Sequence, residues 1–223
     1  MPKTILIITD SYPPEIRSAA QLMKDLADGL RDKGHNVFVA TSYPKYNLTD
    51  SENTTWPEIT DENGVKVLRI KTLPHHKVNF IIRGMTQLLM PYIFFRKIKK
   101  NIKEKIDIAI VHSPPLPLAL AAYKAKQFYG AKYALNLHDV FPQNAVDLGI
   151  LKNKILIKFF ERMEKNAYKN SDLIVVPSNE HKKFIEEKRN VPLGKTQVVY
   201  HWIDSKPFLK AEKTGRFRKL YGL

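Results

Sequence analysis

The sequence predicts an α/β domain built on a Rossmann-like, doubly wound, mostly parallel sheet. Short β-rich runs alternate with helical segments along nearly the whole chain, the pattern of βα units. Several of the runs are continuously apolar, as strands covered on both faces are. And 223 residues, 43% of them hydrophobic, are enough for one large domain with a sizeable core.

Strands are expected at 4–9 (TILIIT), 36–41 (NVFVAT), 65–72 (VKVLRIKT), 107–111 (DIAIV), 132–137 (KYALNL), 173–177 (LIVVP) and 196–200 (TQVVY). Helices are expected at 17–33, 79–104, 115–129, 151–170, 179–188 and 207–221. The first helix carries Leu22, Leu26, Ala27 and Leu30 on one face and stops at Gly34, a residue suited to a left-handed terminus. In the second, Ile81, Ile82, Met85, Leu88, Leu89, Tyr92, Phe95 and Ile98 recur at helical spacing. Pro91 should kink or break that helix. In 151–170, Ile155, Phe159, Met163 and Ala167 form one apolar stripe, read as core. Residues 42–64 form a polar loop with two prolines, of a length that is usually functional or mobile. The main domain is expected to run over 1–204, with 205–223 as a linker.

The net charge is +15, and all of the excess falls after residue 76. Such a field favours anionic partners. No basic array interleaved with aromatics resembles a nucleic-acid platform, so nucleic acid is not expected as a partner. There is no cysteine, hence no disulfide framework and no thiolate metal site. The first apolar run is broken by Asp10 and is too short for a signal-peptide core. The stretch 78–105 combines apolar residues with a lysine-rich end, which suits either an interfacial helix or a core helix with a solvated flank. Its uncharged part is too short to span a bilayer.

Ligands of doubly wound sheets sit beyond the carboxyl ends of the strands. The first such connection, Asp10 to Ala20, lacks both the dinucleotide fingerprint and a P-loop. Arg17 is followed by Ser18, Ala19 and Ala20 at the start of a helix, where exposed N–H groups attract phosphate. Two further strands end in histidine, at Val111-His112-Ser113 and Leu137-His138-Asp139. A neutral imidazole there can bond a sugar hydroxyl or shuttle a proton. His75-His76 has neither metal-ligand spacing nor a carboxylate motif, so no metal or other cofactor is expected.

Taken in order, several stretches resemble the N-terminal domain of GT4-type glycosyltransferases. They are Tyr12–Ile16 with the helix to Gly34-His35-Asn36-Val37, Thr41–Pro44, Ser113–Leu116, His138–Val146 to Leu148-Gly149, Ser171–Ser178, and His201-Trp202-Ile203-Asp204. The branch most resembled builds capsule and O-antigen polysaccharides and includes fucosaminyltransferase-like enzymes. The resemblance implies a GT-B fold of two Rossmann-like domains, with a donor-binding domain following this one. It implies metal-independent, anomer-retaining transfer from a nucleotide-sugar to a glycan or polyprenyl-diphosphate-sugar acceptor. His138 maps to a contact with the donor sugar and Arg17–Ala20 to the donor-phosphate loop. His112, Ser113, Asp139 and Ser178 border the acceptor cleft. The location implied is cytoplasmic, peripheral on the inner face of the membrane, with contact through 78–105. Where the family usually has a glycine-rich first loop, this chain has Arg17-Ser18-Ala19-Ala20. A non-catalytic module binding a lipid-linked glycan or partner subunit is the alternative reading.

Overall fold

The computed structural model describes residues 1–45, 47–48, 55–75, 77–203 and 215–222. Among these, one eight-stranded sheet has the order β3-β4-β2-β1-β5-β6-β7-β8. The strands are β1 (Thr4–Thr9), β2 (Asn36–Ser42), β3 (Ile59–Glu62), β4 (Val65–Ile70), β5 (Ile108–Ser113), β6 (Lys132–Leu137), β7 (Leu173–Val176) and β8 (Thr196–Val198). Neighbouring strands are parallel except for the β3–β4 hairpin at one edge. The helices are α1 (Ser18–Asp32), α2 (Phe80–Asn101), α3 (Ala119–Tyr129) after a 3-10 turn at Leu116–Leu118, α4 (Gln143–Asp147), α5 (Lys154–Asn170), α6 (Asn179–Lys188) and α7 (Arg216–Tyr221).

From β1 the chain winds outward through β2 to β4. It then crosses back to β5 and winds the other way through β6, β7 and β8. The strand order therefore reverses between β1 and β5, and the crevice beyond their carboxyl ends is the natural ligand position.

Alternation along β1 divides the core. Ile5 and Ile7 face α1, packing with Met23, Ala27, Val37, Val39, Val65 and Val67. Leu6 and Ile8 belong to the opposite layer with Met90, Phe94 and Ile98 of α2 and Ala121 and Ala125 of α3. Gly34 ends α1 at φ +82°. Its N–H bonds the Arg31 carbonyl at 2.7 Å, and the His35 N–H bonds that of Leu30 at 3.2 Å. Both satisfy carbonyls the helix leaves open.

Five expectations need correction. Pro91 does not break α2, which runs unbroken over 22 residues. Met90, Phe94 and Ile98 are fully buried on both sides of the proline, and that packing outweighs the roughly 3 kcal/mol a helix proline costs. The polar loop is not strand-free, because Ile59–Glu62 pairs with β4 from Ile59↔Leu68 to Glu62↔Val65. The strand expected at 107–111 is β5, which extends to Ser113, so His112 and Ser113 lie within it. The helix expected at 151–170 begins at Lys154, where Asn153 caps the N–H groups of Ile155 and Leu156, and the unexpected α4 precedes it. Finally, the Ile155–Ala167 stripe is core only at its end. Ala167 is buried, whereas Ile155 and Phe159 are 79% and 47% exposed, and Phe159 lines an open groove between α2, α3 and α5. In the tail, α7 is shorter than expected, and 204–214 lie outside the described residues.

Candidate active site at the carboxyl rim of the sheet

β5 and β6 are in register, with His112 opposite Asn136 and Ser113 opposite Leu137. The pairing continues one residue further, where the His138 N–H donates to the Ser113 carbonyl at 2.9 Å. That bond seats His138 directly above the strand ends. His112 is buried beneath it, the two rings meeting edge to face at 4.5 Å between centroids. A third ring, His201, stacks on the outer side of His138 at 4.6 Å. Its Nε2 lies 3.0 Å from His138 Nδ1. His138 Nε2 lies 3.2 Å from the Asn136 amide oxygen. The Asn136 amide nitrogen lies 3.5 Å from His112 Nδ1. Both ring nitrogens of His138 are thus engaged.

His112 and His138 are neutral at pH 7. Burial, then the neighbouring His138 and Arg17, push His112 down to about 3. Burial, then His201 and His181, push His138 down to about 4. A neutral His138 offers hydrogen bonding and not positive charge.

His201 reaches this position on a strap. After β8 the Val199 N–H bonds the Val176 carbonyl, and three residues later the Trp202 indole N–H donates to the Leu22 carbonyl of α1 at 3.2 Å. Residues 199–202 therefore cross the rim from the β8 edge to the first helix, over the ends of the intervening strands.

On the β1 side, Asp10 directly follows the strand and is buried. It accepts hydrogen bonds from Ser42 Oγ at 2.8 Å and from His75 Nε2 at 2.9 Å. Burial pulls the His75 pKa down, but the bond to Asp10 and its charge outweigh that, and the net shift is upward. The Arg17 guanidinium is 3.7 Å from Asp10 and 3.8 Å from Glu15, folded back over two buried carboxylates. Arg17 is also the N-cap of α1, in extended conformation, with no side-chain bond closing the first turn. Of the loop residues behind it, Ser18 is exposed, Ala19 half-buried and Ala20 fully buried. Ala20 can offer a ligand only its backbone N–H.

Arg17, Ser18, His112, Ser113 and His138 come together around the β1–β5 switch point. Asp139 is exposed just beyond. Ser178 caps α6, accepting from the His181 N–H at 3.2 Å and contacting His181 Nδ1 at 2.9 Å. His181 in turn is among the groups acting on His138. Asp10, Asn136 and His201 were not singled out as site residues from the sequence, and His75 was weighed there only with His76 as a metal ligand. Asp10 follows β1 directly and His201 follows the strand expected at 196–200, so the rule that selected His138 also applies to them. His75 and Asn136 needed the fold, because only tertiary structure brings the β4–α2 loop to Asp10 and the Asn136 side chain between two rings. His76 lies outside the described residues. Among the described residues, no group of three or more His, Asp or Glu is placed to hold a metal.

A second concavity lies elsewhere. An open apolar groove of about 550 Å³ runs between α2, α3 and α5, lined by residues including Leu89, Tyr92, Leu120, Phe159 and Met163 with Arg162. None of the stacked histidines lines it. No helix among the described residues is long and apolar enough to cross a membrane.

A mostly parallel sheet with polar, partly buried groups gathered at the switch point is the arrangement in which doubly wound α/β domains hold small molecules. The comparisons with known proteins narrow the class. The model of Glycosyltransferase Family 4 matches residues 19–206, most of the chain, and the chain belongs to that family. It is 27% identical over 118 residues to a protein described as probable glycosyltransferase WbjE from Pseudomonas aeruginosa, a match covering 52% of this chain and 29% of that one. Among solved structures it resembles a sucrose-phosphate synthase from Thermosynechococcus elongatus, with TM-score 0.68 and 13% identity over 99% of this chain and 53% of the other. It also resembles the catalytic domain of starch synthase IV from Arabidopsis thaliana bound to ADP and acarbose, with TM-score 0.59 and 17% identity over 95% and 55%. A third likeness is to a trehalose-phosphate synthase from Burkholderia xenovorans in complex with glucose-6-phosphate, with TM-score 0.62 and 11% identity over 98% and 55%. At these identities the likenesses concern the fold. The chain spans about half the length of the solved structures and under a third of the curated relative.

Proposed function

We propose that this chain is the acceptor-side domain of a two-domain, GT-B-type enzyme. That enzyme moves a sugar from a nucleotide-sugar to a lipid-linked glycan during surface polysaccharide synthesis, with residues 205–223 leading toward a donor-binding domain. The observation that carries this reading is the meeting of His138, His112 and the start of α1 at the switch point of a family-4 domain. In transfer, the bond from the anomeric carbon to the diphosphate oxygen breaks. A bond to the acceptor hydroxyl oxygen forms, and the hydroxyl proton leaves with the diphosphate. His138 holds a hydroxyl of the donor sugar. The free N–H groups of Ser18 and Ala19 face the diphosphate, and Arg17 turns toward it from Asp10 and Glu15. Ser113, Asp139 and Ser178 border the acceptor. The transfer proceeds with retention and uses no metal.

The membrane part of the reading rests on the outer face of α2. Met85, Leu89 and Tyr92 are exposed beside the groove, and Lys124 sits over the Tyr92 ring at 5.2 Å. Apolar side chains with basic neighbours suit an anionic bilayer surface, placing the protein on the inner face of the cell membrane.

The test uses the full-length enzyme, a panel of nucleotide-sugars and a lipid extract of the source cells. Expected is label passing into organic-soluble product with the donor's anomeric configuration, undiminished by a metal chelator. An inverted product or a chelator-sensitive reaction would contradict the mechanism. For the membrane contact, Met85→Asp with Leu89→Asp should release the chain from vesicles containing anionic lipid. Equal retention of variant and parent would remove that part.

A further inference from the structure

His138 can serve a ligand only through a ring nitrogen. Its hydrogen-bond partners decide whether that nitrogen gives or takes a proton. A neutral imidazole has one donor and one acceptor, and fixing either fixes the other. The Asn136 amide also has two unlike ends. It is buried between the two inner rings, with its oxygen facing His138 Nε2 at 3.2 Å and its nitrogen facing His112 Nδ1 at 3.5 Å. The oxygen can only accept, so His138 carries its proton on Nε2. The amide nitrogen can only donate, so His112 Nδ1 is bare. The remaining nitrogen of His138, Nδ1, is then an acceptor, and among the described residues the hydrogen-bond partner against it is His201 Nε2 at 3.0 Å. All the bonds run one way: His201 to His138, His138 to Asn136, Asn136 to His112.

We propose that Asn136 is a positioning residue that locks His138 in its Nε2–H form, leaving Nδ1 as an acceptor that His201 caps until a ligand O–H takes its place. The inference rests on the reading that His138 meets the sugar, and it narrows that contact. A sugar hydroxyl can donate to Nδ1. A phosphate oxygen, with no proton to give, cannot, so the diphosphate belongs at the α1 side of the crevice. The cap is exposed and comes from the strap 199–202, while Asn136 sits within β6. The lock is therefore rigid and the cap removable. Besides one another and His201, the groups acting on His112 and His138 are Arg17, Asp10 and His181, and the low pKa values of His112 and His138 keep both neutral at pH 7.

Long-range nitrogen–proton NMR of the labelled chain at pH 7 reads the protonated nitrogen of each ring directly. Expected are Nε2–H forms for both His138 and His112. In Asn136→Asp the carboxylate accepts from both sides. His112 should then switch to Nδ1–H while His138 stays Nε2–H. In His201→Ala the His138 form should be unchanged, because Asn136 and not the cap sets it. A wild-type His138 protonated on Nδ1 would overturn the lock, as would an unswitched His112 in Asn136→Asp or a His138 form that changes with His201. If the aspartate variant does not fold, the parent and His201→Ala spectra still decide. No donor is needed, so failure here leaves glycosyl transfer standing, and failure of transfer leaves the ring assignments intact.

Discussion

Replacing His138 by alanine in the enzyme that carries this domain is expected to lower kcat/KM for sugar transfer by about 10²–10³-fold. That is a loss of roughly 3–4 kcal/mol of transition-state stabilisation. The expectation follows from its position and charge state. The ring is seated by the His138–Ser113 backbone bond at the strand ends and is neutral, with a pKa of about 4. A neutral ring stabilises a reacting sugar through one well-placed bond and not through long-range charge. The loss should therefore appear mainly in kcat and be nearly independent of ionic strength. Folding should change little, because His138 is only half-buried and the core beneath it ends at His112 and Leu137. Turnover within threefold of the parent would show that the ring does not touch the reacting sugar.

The largest stability effect is expected at Arg189→Met. Glu164 is almost completely buried on α5. Its carboxylate accepts from Arg189 Nε at 2.8 Å and from the Tyr168 hydroxyl at 2.9 Å. Arg189 also reaches Gln143 Oε1 at 3.1 Å and lies over the Phe184 ring, so it joins α4, α5 and α6. Methionine keeps the apolar stem and removes the charge, leaving a buried carboxylate short of its cation. Such losses cost about 3–5 kcal/mol. Burial already holds the Glu164 carboxyl above its ordinary range, despite Arg189 and the bond from Tyr168. A carboxyl raised by folding favours the folded state most when protonated. That contribution falls as pH rises from the unfolded value through the folded one. Without Arg189 the value rises further. The penalty in Arg189→Met should therefore be full near pH 8 and shrink as pH drops toward 5, where Glu164 takes up a proton. Urea denaturation at the two pH values checks this, and a penalty that is constant or grows in acid would contradict it.

Much of the fold was legible because doubly wound sheets write themselves plainly: apolar runs for strands and 3.6-residue periodicity between them. The strand-end rule alone led to His112, His138 and the Arg17 loop. What it did not reveal depended on longer-range geometry. β3 is a four-residue edge strand, half solvated and polar, so its sequence looks like loop. The Ile155–Phe159 stripe has the spacing of a core face, but spacing cannot say whether a neighbour covers it. The Pro91 rule is local, and the packing that carries α2 through the proline without a break is tertiary. In the site, Asn136 reads as an ordinary strand residue until the β5–β6 register sets it against His112. His201 stands 63 residues from its partner.

All of the functional reading depends on small molecules meeting this sheet at the β1–β5 switch point, with His138 facing the sugar. The most direct measurement is a crystal structure of the full-length enzyme with an unhydrolysed nucleotide-sugar. Expected is a sugar hydroxyl within hydrogen-bond distance of His138 Nδ1, with His201 moved aside and the diphosphate at the start of α1. A donor bound with its sugar away from this rim, and His201 still stacked on His138, would contradict it.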